Sequence, residues 1–237
     1  MLSEYWKDRI SEELKIEMEK YSMICGIDEV GRGPIAGPVL ACAIIMPRDQ
    51  FIDGVKDSKK LTAKKREFLY EQILESCLAL GIGLVDEKII DKINIRQATL
   101  LAMKNAYYGM KDKNGNSLSA DLVMVDHEKP ETDCREIALD KGDDRIYQIA
   151  AASIVAKVTR DRIMVEYGKK YPDYAFESHK GYGTKKHYDA IKEYGLLPIH
   201  RRSFIHGGFL FEHKDYELGE VERKAFYDEL KRKRGLG

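Results

Sequence analysis

The sequence has no net charge, no paired cysteines and no long apolar run, and each absence narrows what the chain can be. Forty Lys and Arg balance forty Asp and Glu among 237 residues. Global electrostatics therefore neither demands nor excludes nucleic acid, and the distribution of charge has to decide. Cys25, Cys42, Cys77 and Cys134 show no CxxC spacing and sit mostly in apolar runs, which fits buried, reduced thiols in a cytoplasmic protein. Nothing approaches about 18 consecutive apolar residues, so no transmembrane helix is expected. Glu4, Asp8, Glu12 and Glu13 break up any signal-peptide core. No repeat or low-complexity tract is visible. A single domain of this length buries roughly 70–75% of its extended surface and needs no disulfide to hold it.

What is present alternates between strand and helix patterns. Residues 4–21 place Trp6, Ile10, Leu14, Met18 and Tyr21 at helical spacing, predicting one amphipathic lead-in helix. Two β-type runs follow, Met23–Asp28 and Val39–Met46, separated by the turn formers Gly31-Arg32-Gly33-Pro34 and Gly37-Pro38. Thr62 caps a helix to about Leu78, its apolar face Phe68, Leu69, Ile73 and Leu74. After a strand near Gly81–Val85, Asn94 and Gln97 resemble a capping box opening a helix through Met110. Asp121–Asp126 reads as a buried strand ending in an acid, and Glu136–Leu139 as a short strand. Arg145–Lys169 is a long helix whose first half is apolar almost all round, so it belongs at the centre of the fold. Lys185–Glu193 is a further helix, and Asp215–Arg234 a highly charged one. The sum is an α/β architecture.

Asp28 and Glu29 end one strand, Asp126 ends another, and Asp143 precedes the long helix. Such carboxylates suit Mg²⁺ or Mn²⁺, which prefer oxygen ligands, and two such ions roughly 3.5–4 Å apart stabilise both oxygens of a phosphodiester displacement. Each acid also has an ordinary reading. Asp126 alone is a solvated strand-end residue, and Asp143 in Lys141-Gly142-Asp143-Asp144 is a helix N-cap. Successive strand residues face opposite sides, so Asp28 and Glu29 reach one site only if the strand breaks there. Spacing alone does not decide.

Gly31-x-Gly33-x-x-Ala36 also satisfies the loose dinucleotide-binding fingerprint. That fingerprint needs a helix next, whereas Gly37-Pro38 and a strand follow here. No Gly-Lys-Ser/Thr closes a phosphate-binding loop either. The segment is a glycine-rich turn whose backbone can approach a ligand closely.

With these pieces placed, residues 23–206 resemble the ribonuclease HII family, bacterial type, block after block in consistent order. The blocks are Gly26-Ile27-Asp28-Glu29-Val30-Gly31-Arg32-Gly33 with Gly37-Pro38-Val39; Asp57-Ser58-Lys59-Lys60-Leu61; Val125-Asp126; and Lys141-Gly142-Asp143. Ala151–Asp161, His179-Lys180-Gly181-Tyr182-Gly183-Thr184 and His200-Arg201-Arg202-Ser203-Phe204 complete the set. The resemblance implies a ribonuclease-H-like mixed sheet flanked by helices, with a helical C-terminal region. It covers a catalytic domain over 23–206; the helical extension over 1–22 and the helical tail over 207–237 come from apolar spacing and charge and lie outside it.

The same resemblance assigns Asp28, Glu29, Asp126 and Asp143 to catalysis with Mn²⁺ or Mg²⁺, two ions in the reactive complex. It gives Gly31, Arg32 and Gly33 to the ribose 2′-OH and Tyr182 to the RNA-to-DNA junction, and it brings Ser58 and Lys59 to the substrate. The implied partner is an RNA/DNA hybrid or ribonucleotide-containing duplex, with no membrane and no obligate protein partner. The Gly-Arg-Gly triplet favours this family over ribonuclease HIII, whose additional N-terminal domain residues 1–22 cannot hold. Asp161 reads as structural, and His127, turned away from Asp126 by strand alternation, is not counted as a ligand. Three basic groups suit phosphate contact, although a charge run taken alone reads as a solvated face: Lys56, Lys59, Lys60, Lys64, Lys65 and Arg66; His179, Lys180, Lys185 and Lys186; and Arg201 with Arg202. The six histidines show no pairing that suggests acid–base cleavage through the 2′-OH.

Overall fold

Ser11 divides what the apolar spacing suggested was one lead-in helix. Its backbone is extended and its hydroxyl accepts from the Leu14 N–H at 3.3 Å, so α1 (Glu4–Lys7) stops and α2 (Glu12–Glu19) starts afresh. The inner positions Trp6, Ile10 and Met18 are buried all the same. The computed structural model describes residues 4–205, so the charged helix expected over 215–234 lies outside the described residues. Strands β1 (Ile24–Val30) and β2 (Val39–Ile45) come next, then α3 (Ala63–Ser76), β3 (Ala79–Val85) and α4 (Glu87–Tyr108). Strands β4 (Leu122–Asp126) and β5 (Glu136–Leu139) precede α5 (Tyr147–Lys170), α6 (Phe176–His179) and α7 (Lys185–Tyr194).

The five strands form one mixed sheet in the order β3-β2-β1-β4-β5. β2 runs antiparallel to both β1 and β3, while β4 and β5 lie parallel to β1. β2 is apolar at every position because both its faces are covered. Leu40, Cys42 and Ile44 join a core with α3 and α5. Val39, Ala41, Ala43 and Ile45 join a second core with Ala98, Ala102, Met103 and Ala106 of α4. The apolar first half of α5 is buried through Ala156, and it crosses β1 at Gly26, where any Cβ would sit 2.2 Å from the Gln148 backbone carbon.

Two local expectations change. Phe68 of α3 is exposed, and Tyr70 takes a buried place with Leu69 and Ile73. Asn94 does accept from the Gln97 N–H at 3.1 Å, but it does so inside α4, at a kink (φ 66, ψ 164) following a first segment capped by Asp86.

Candidate active site

Strand alternation sends Asp28 and Asp126 to the α5 side of the sheet. The parallel register pairs Ile27 with Val125, so the two acids are the next residues along β1 and β4. Asp28 is buried and accepts from the Glu29 N–H at 2.8 Å, and the nearby Ser153 hydroxyl of α5 favours its charged form. Asp126 accepts from the Gly142 N–H at 2.6 Å, which ties the end of β4 to the turn that holds Asp143. β1 does not break at Asp28 and Glu29; it runs on to Val30. What opens is β4, which ends at Asp126 as His127 adopts a left-handed φ of 64°. Beyond that point Glu29 keeps β2 as its pairing neighbour, opposite Ala41. At this frayed edge it acts electrostatically on Asp28 and feels Asp126.

Asp143 is no N-cap. Ile146 occupies that place before α5, and Asp143 lies in a one-turn 3-10 segment, Gly142–Asp144. Its Oδ2 is buried without a hydrogen-bond partner, 3.6 Å from the Lys59 Nζ. Burial and then the neighbouring Asp57 push its carboxyl up to about 6. Burial, then Glu29, raises Asp28 well above the carboxylate range, and burial raises Glu29 against the pull of Arg32. Lys59 would be lowered by its partial burial, yet the carboxylates of Asp143 and Asp28 hold it above its usual value. Carboxylates that raise one another in a buried site are deficient in positive charge.

Among the described residues, no three His, Cys, Asp or Glu side chains close around a single point as a metal cage. The donor chemistry nevertheless fits a divalent ion. All four groups are hard oxygen donors, Asp143 presents a buried oxygen that accepts no hydrogen bond, and added positive charge would relieve the repulsion among them.

The glycine turn is a hairpin connection into antiparallel β2, not the strand-to-helix turn of a dinucleotide site. Two arginines with no exposed surface, Arg160 of α5 and Arg201, hold it. Arg201 donates to the carbonyls of Gly31 (2.6 Å), Arg32 (3.1 Å) and Gly37 (2.9 Å). Arg160 donates to Pro38 (3.0 Å), Ala36 (3.2 Å) and Lys180 (3.0 Å). Gly31 has a φ of +94°, and a Cβ there would lie 2.2 Å from the Arg160 Nε. The half-exposed ring of Tyr182 stands by the turn, its Cε1 3.5 Å from where a Gly33 Cβ would be. The Arg32 guanidinium reaches Glu29 at 3.4 Å.

Several residues expected to face phosphate turn inward instead. Arg201 is fully buried, and burial beside Arg160 lowers it to about 9, still cationic at neutral pH. His179 is buried, and Arg66 donates to the carbonyls of Ser58 and Leu61. Ser58, expected at the substrate, is 4% exposed and bonds Ser153 across 2.8 Å, beneath Asp28. Exposed Lys59, Lys60, Lys64, Lys65, Lys185 and Lys186 keep their outward places. His127 bonds Asp140 at 3.1 Å and Asp161 pairs with Lys157 at 2.7 Å; His127 lies past the end of β4 with a left-handed φ, so strand alternation does not set its direction.

Residues 25–207 match the family model described as Ribonuclease HII. The chain is 52% identical over 194 residues to a Ribonuclease HII of Caldicellulosiruptor bescii, covering 81% of this chain and 91% of that protein. It is 54% identical over 185 residues to that of Alkaliphilus oremlandii, covering 78% and 91% respectively. The crystal structure of the ribonuclease H2 from Pyrococcus horikoshii OT3 superposes with a TM-score of 0.64 at 25% identity, over 89% of this chain and 99% of that one. With a mixed sheet of the ribonuclease H kind beneath a cluster of acids, the chain belongs to the ribonuclease HII family, the metal-dependent endonucleases that cut RNA in RNA/DNA hybrids.

Proposed function

We propose that the chain hydrolyses the phosphodiester on the 5′ side of a ribonucleotide, including a single one embedded in duplex DNA, and leaves 3′-hydroxyl and 5′-phosphate ends. The observation that supports this is Asp126 standing beside buried Asp28 where β1 and β4 part, with Asp126 tied by the Gly142 N–H to the turn that buries Asp143. These four carboxylates would hold two divalent ions, Mg²⁺ or Mn²⁺, which when bound supply a nucleophilic water and charge stabilisation at the attacking and leaving oxygens. The Glu29 N–H fixes the Asp28 carboxyl, and the Gly142 N–H fixes that of Asp126.

Arg160 and Arg201 set the turn of Gly31, Arg32 and Gly33 so that its backbone meets the ribose 2′-OH. Tyr182 beside it stacks on the sugar at the RNA-to-DNA junction. Lys59, Lys60, Lys64, Lys65, Lys185 and Lys186 neutralise phosphates without reading bases, as suits an enzyme that selects sugars. We place this activity in the cytoplasm, in ribonucleotide excision repair, where four free thiols stay reduced.

The test is a duplex with one embedded ribonucleotide, incubated with Mg²⁺ or Mn²⁺, the cut mapped and the ends identified. A single cut 5′ of the ribonucleotide is expected, abolished in Asp126→Asn. A 2′,3′-cyclic phosphate would rule out water as the nucleophile, and binding without any cut would leave a hybrid-binding module.

A further inference from the structure

Beneath the turn that carries Tyr182 lie three buried histidines that no step above uses: His179, His187 and His200. Their backbone partners fix their protons. The Leu197 N–H donates to the His200 Nδ1 at 2.8 Å, so that nitrogen offers a lone pair and the proton sits on Nε2. The Leu197 carbonyl is also 3.2 Å from Nδ1, but a proton there would oppose the nearer N–H. The His200 Nε2 lies 3.0 Å from the His187 Nε2, which must therefore accept. The His187 proton is left on Nδ1, 2.9 Å from the Tyr182 carbonyl. His179, stacked on His187 with ring centroids 4.4 Å apart, follows the same rule. It accepts from the Gly181 N–H at 3.2 Å and donates to the Tyr174 carbonyl at 2.8 Å. Every donor meets an acceptor only while all three rings are neutral.

We infer that His187, backed by His200, is a positioning residue for Tyr182, fixing its backbone so that the ring stands over Gly33. This rests on the reading of Tyr182 as a substrate contact. Burial favours the required state, pushing His187 down to about 4, His200 to about 3 and His179 below its usual value. The charged groups around the trio act chiefly on His179: Glu177 of α6 raises it, while Lys186 and Lys180 lower it. Arg160 of α5 is engaged with the Lys180 carbonyl, and Arg201, next to His200, with the glycine turn. Nothing in this arrangement depends on the four acids.

The test combines ¹⁵N signals of the imidazoles, ring signals of Tyr182, and cleavage. In the wild-type protein, His187 is expected to carry its proton on Nδ1 and His200 on Nε2; the reverse assignment overturns the inference without any variant. His187→Phe keeps a ring but loses the donor, so the Tyr182 ring signals should shift. His187→Asn presents an amide N–H in the place of Nδ1 and should restore them. On a duplex with one ribonucleotide, His187→Phe should lower kcat/KM on the order of tenfold, a step of about 1.4 kcal/mol, and add little to Tyr182→Ala. Unmoved ring signals in His187→Phe, or losses that add in full, would overturn the inference. If the ring moves while neither His187→Phe nor Tyr182→Ala alters cleavage, the positioning stands and the substrate role of Tyr182 fails.

Discussion

The Nη2 of Arg201 donates to the carbonyl oxygen of Gly31 across 2.6 Å, joining residues 170 positions apart in the chain. Through this contact the last described turn holds the first functional one, and the guanidinium has no exposed surface. Lysine has one donor group where arginine has a fork, so Arg201→Lys leaves two of the carbonyls of Gly31, Arg32 and Gly37 without their charged donor. Urea unfolding should report a loss on the order of 2–4 kcal/mol, with cleavage reduced beyond what the unfolded fraction explains. An unchanged midpoint would mean that the turn holds itself.

Asp143 should trade stability against activity. Its carboxyl is raised from 3.8 to about 6 by burial and Asp57. A raised carboxylate weakens the fold as pH climbs from about 4 through 6, and the full cost remains at pH 7. Asp143→Asn removes that cost. Without added metal at pH 7.5 it should be more stable than wild type by on the order of 1–3 kcal/mol, with the gain gone near pH 4. It should also lose most hydrolysis. Paired thermal melts at the two pH values check this, and equal stability at pH 7.5 would deny the carboxylate any strain.

How legible these features were in the sequence depends on how each residue solves its burial. β2 was legible because both faces are covered, which forces an unbroken apolar run. The four acids were legible as residue types, three at strand ends and Asp143 before the long helix, but the placing of Asp126 beside Asp28 was not. It depends on β4 ending one residue past its pairing with β1, and no local pattern encodes that. Arg201 was misread because arginine beside another charge reads as surface, and Arg160 drew no reading of its own. A signal existed for Arg160: Ala156, Ile163 and Met164, at helical spacing from it, are all apolar and buried. Asn94 looked like a helix start because a cap inside a kink and a cap at a terminus have the same local chemistry.

His200 should contribute a slope to stability against pH. Burial lowers it from 6.5 to about 3, so the unfolded chain binds a proton that the folded one refuses. The stabilisation is full above pH 6.5 and falls as pH drops toward 3, by about 1.4 kcal/mol per unit for one proton. The acids of the site slope the opposite way over part of this range, so the informative quantity is a difference. Wild type minus His200→Gln, followed by urea unfolding from pH 7.5 to 5, should show a slope near one proton. A flat difference would mean that His200 is protonated in the fold.

The two glycines of the turn should fail in different ways when each is given a methyl group. Gly31 has a left-handed φ of +94°, and a Cβ would lie 2.2 Å from the Arg160 Nε and 2.8 Å from the Pro38 carbonyl. Arg160 is anchored by three backbone hydrogen bonds and cannot yield cheaply. Gly31→Ala should therefore cost on the order of 2–4 kcal/mol of stability. At Gly33 the nearest atom to a Cβ is the Tyr182 Cε1, at an ordinary contact distance of 3.5 Å. Gly33→Ala should fold with a change under about 0.5 kcal/mol. If the backbone of this turn meets the ribose, the added methyl stands between them, and kcat/KM should fall at least tenfold, a step of about 1.4 kcal/mol. Unfolding midpoints and cleavage of a single-ribonucleotide duplex, measured on both variants, separate the two effects. Full activity in Gly33→Ala would move the 2′-OH contact away from this turn, whatever Gly31→Ala does.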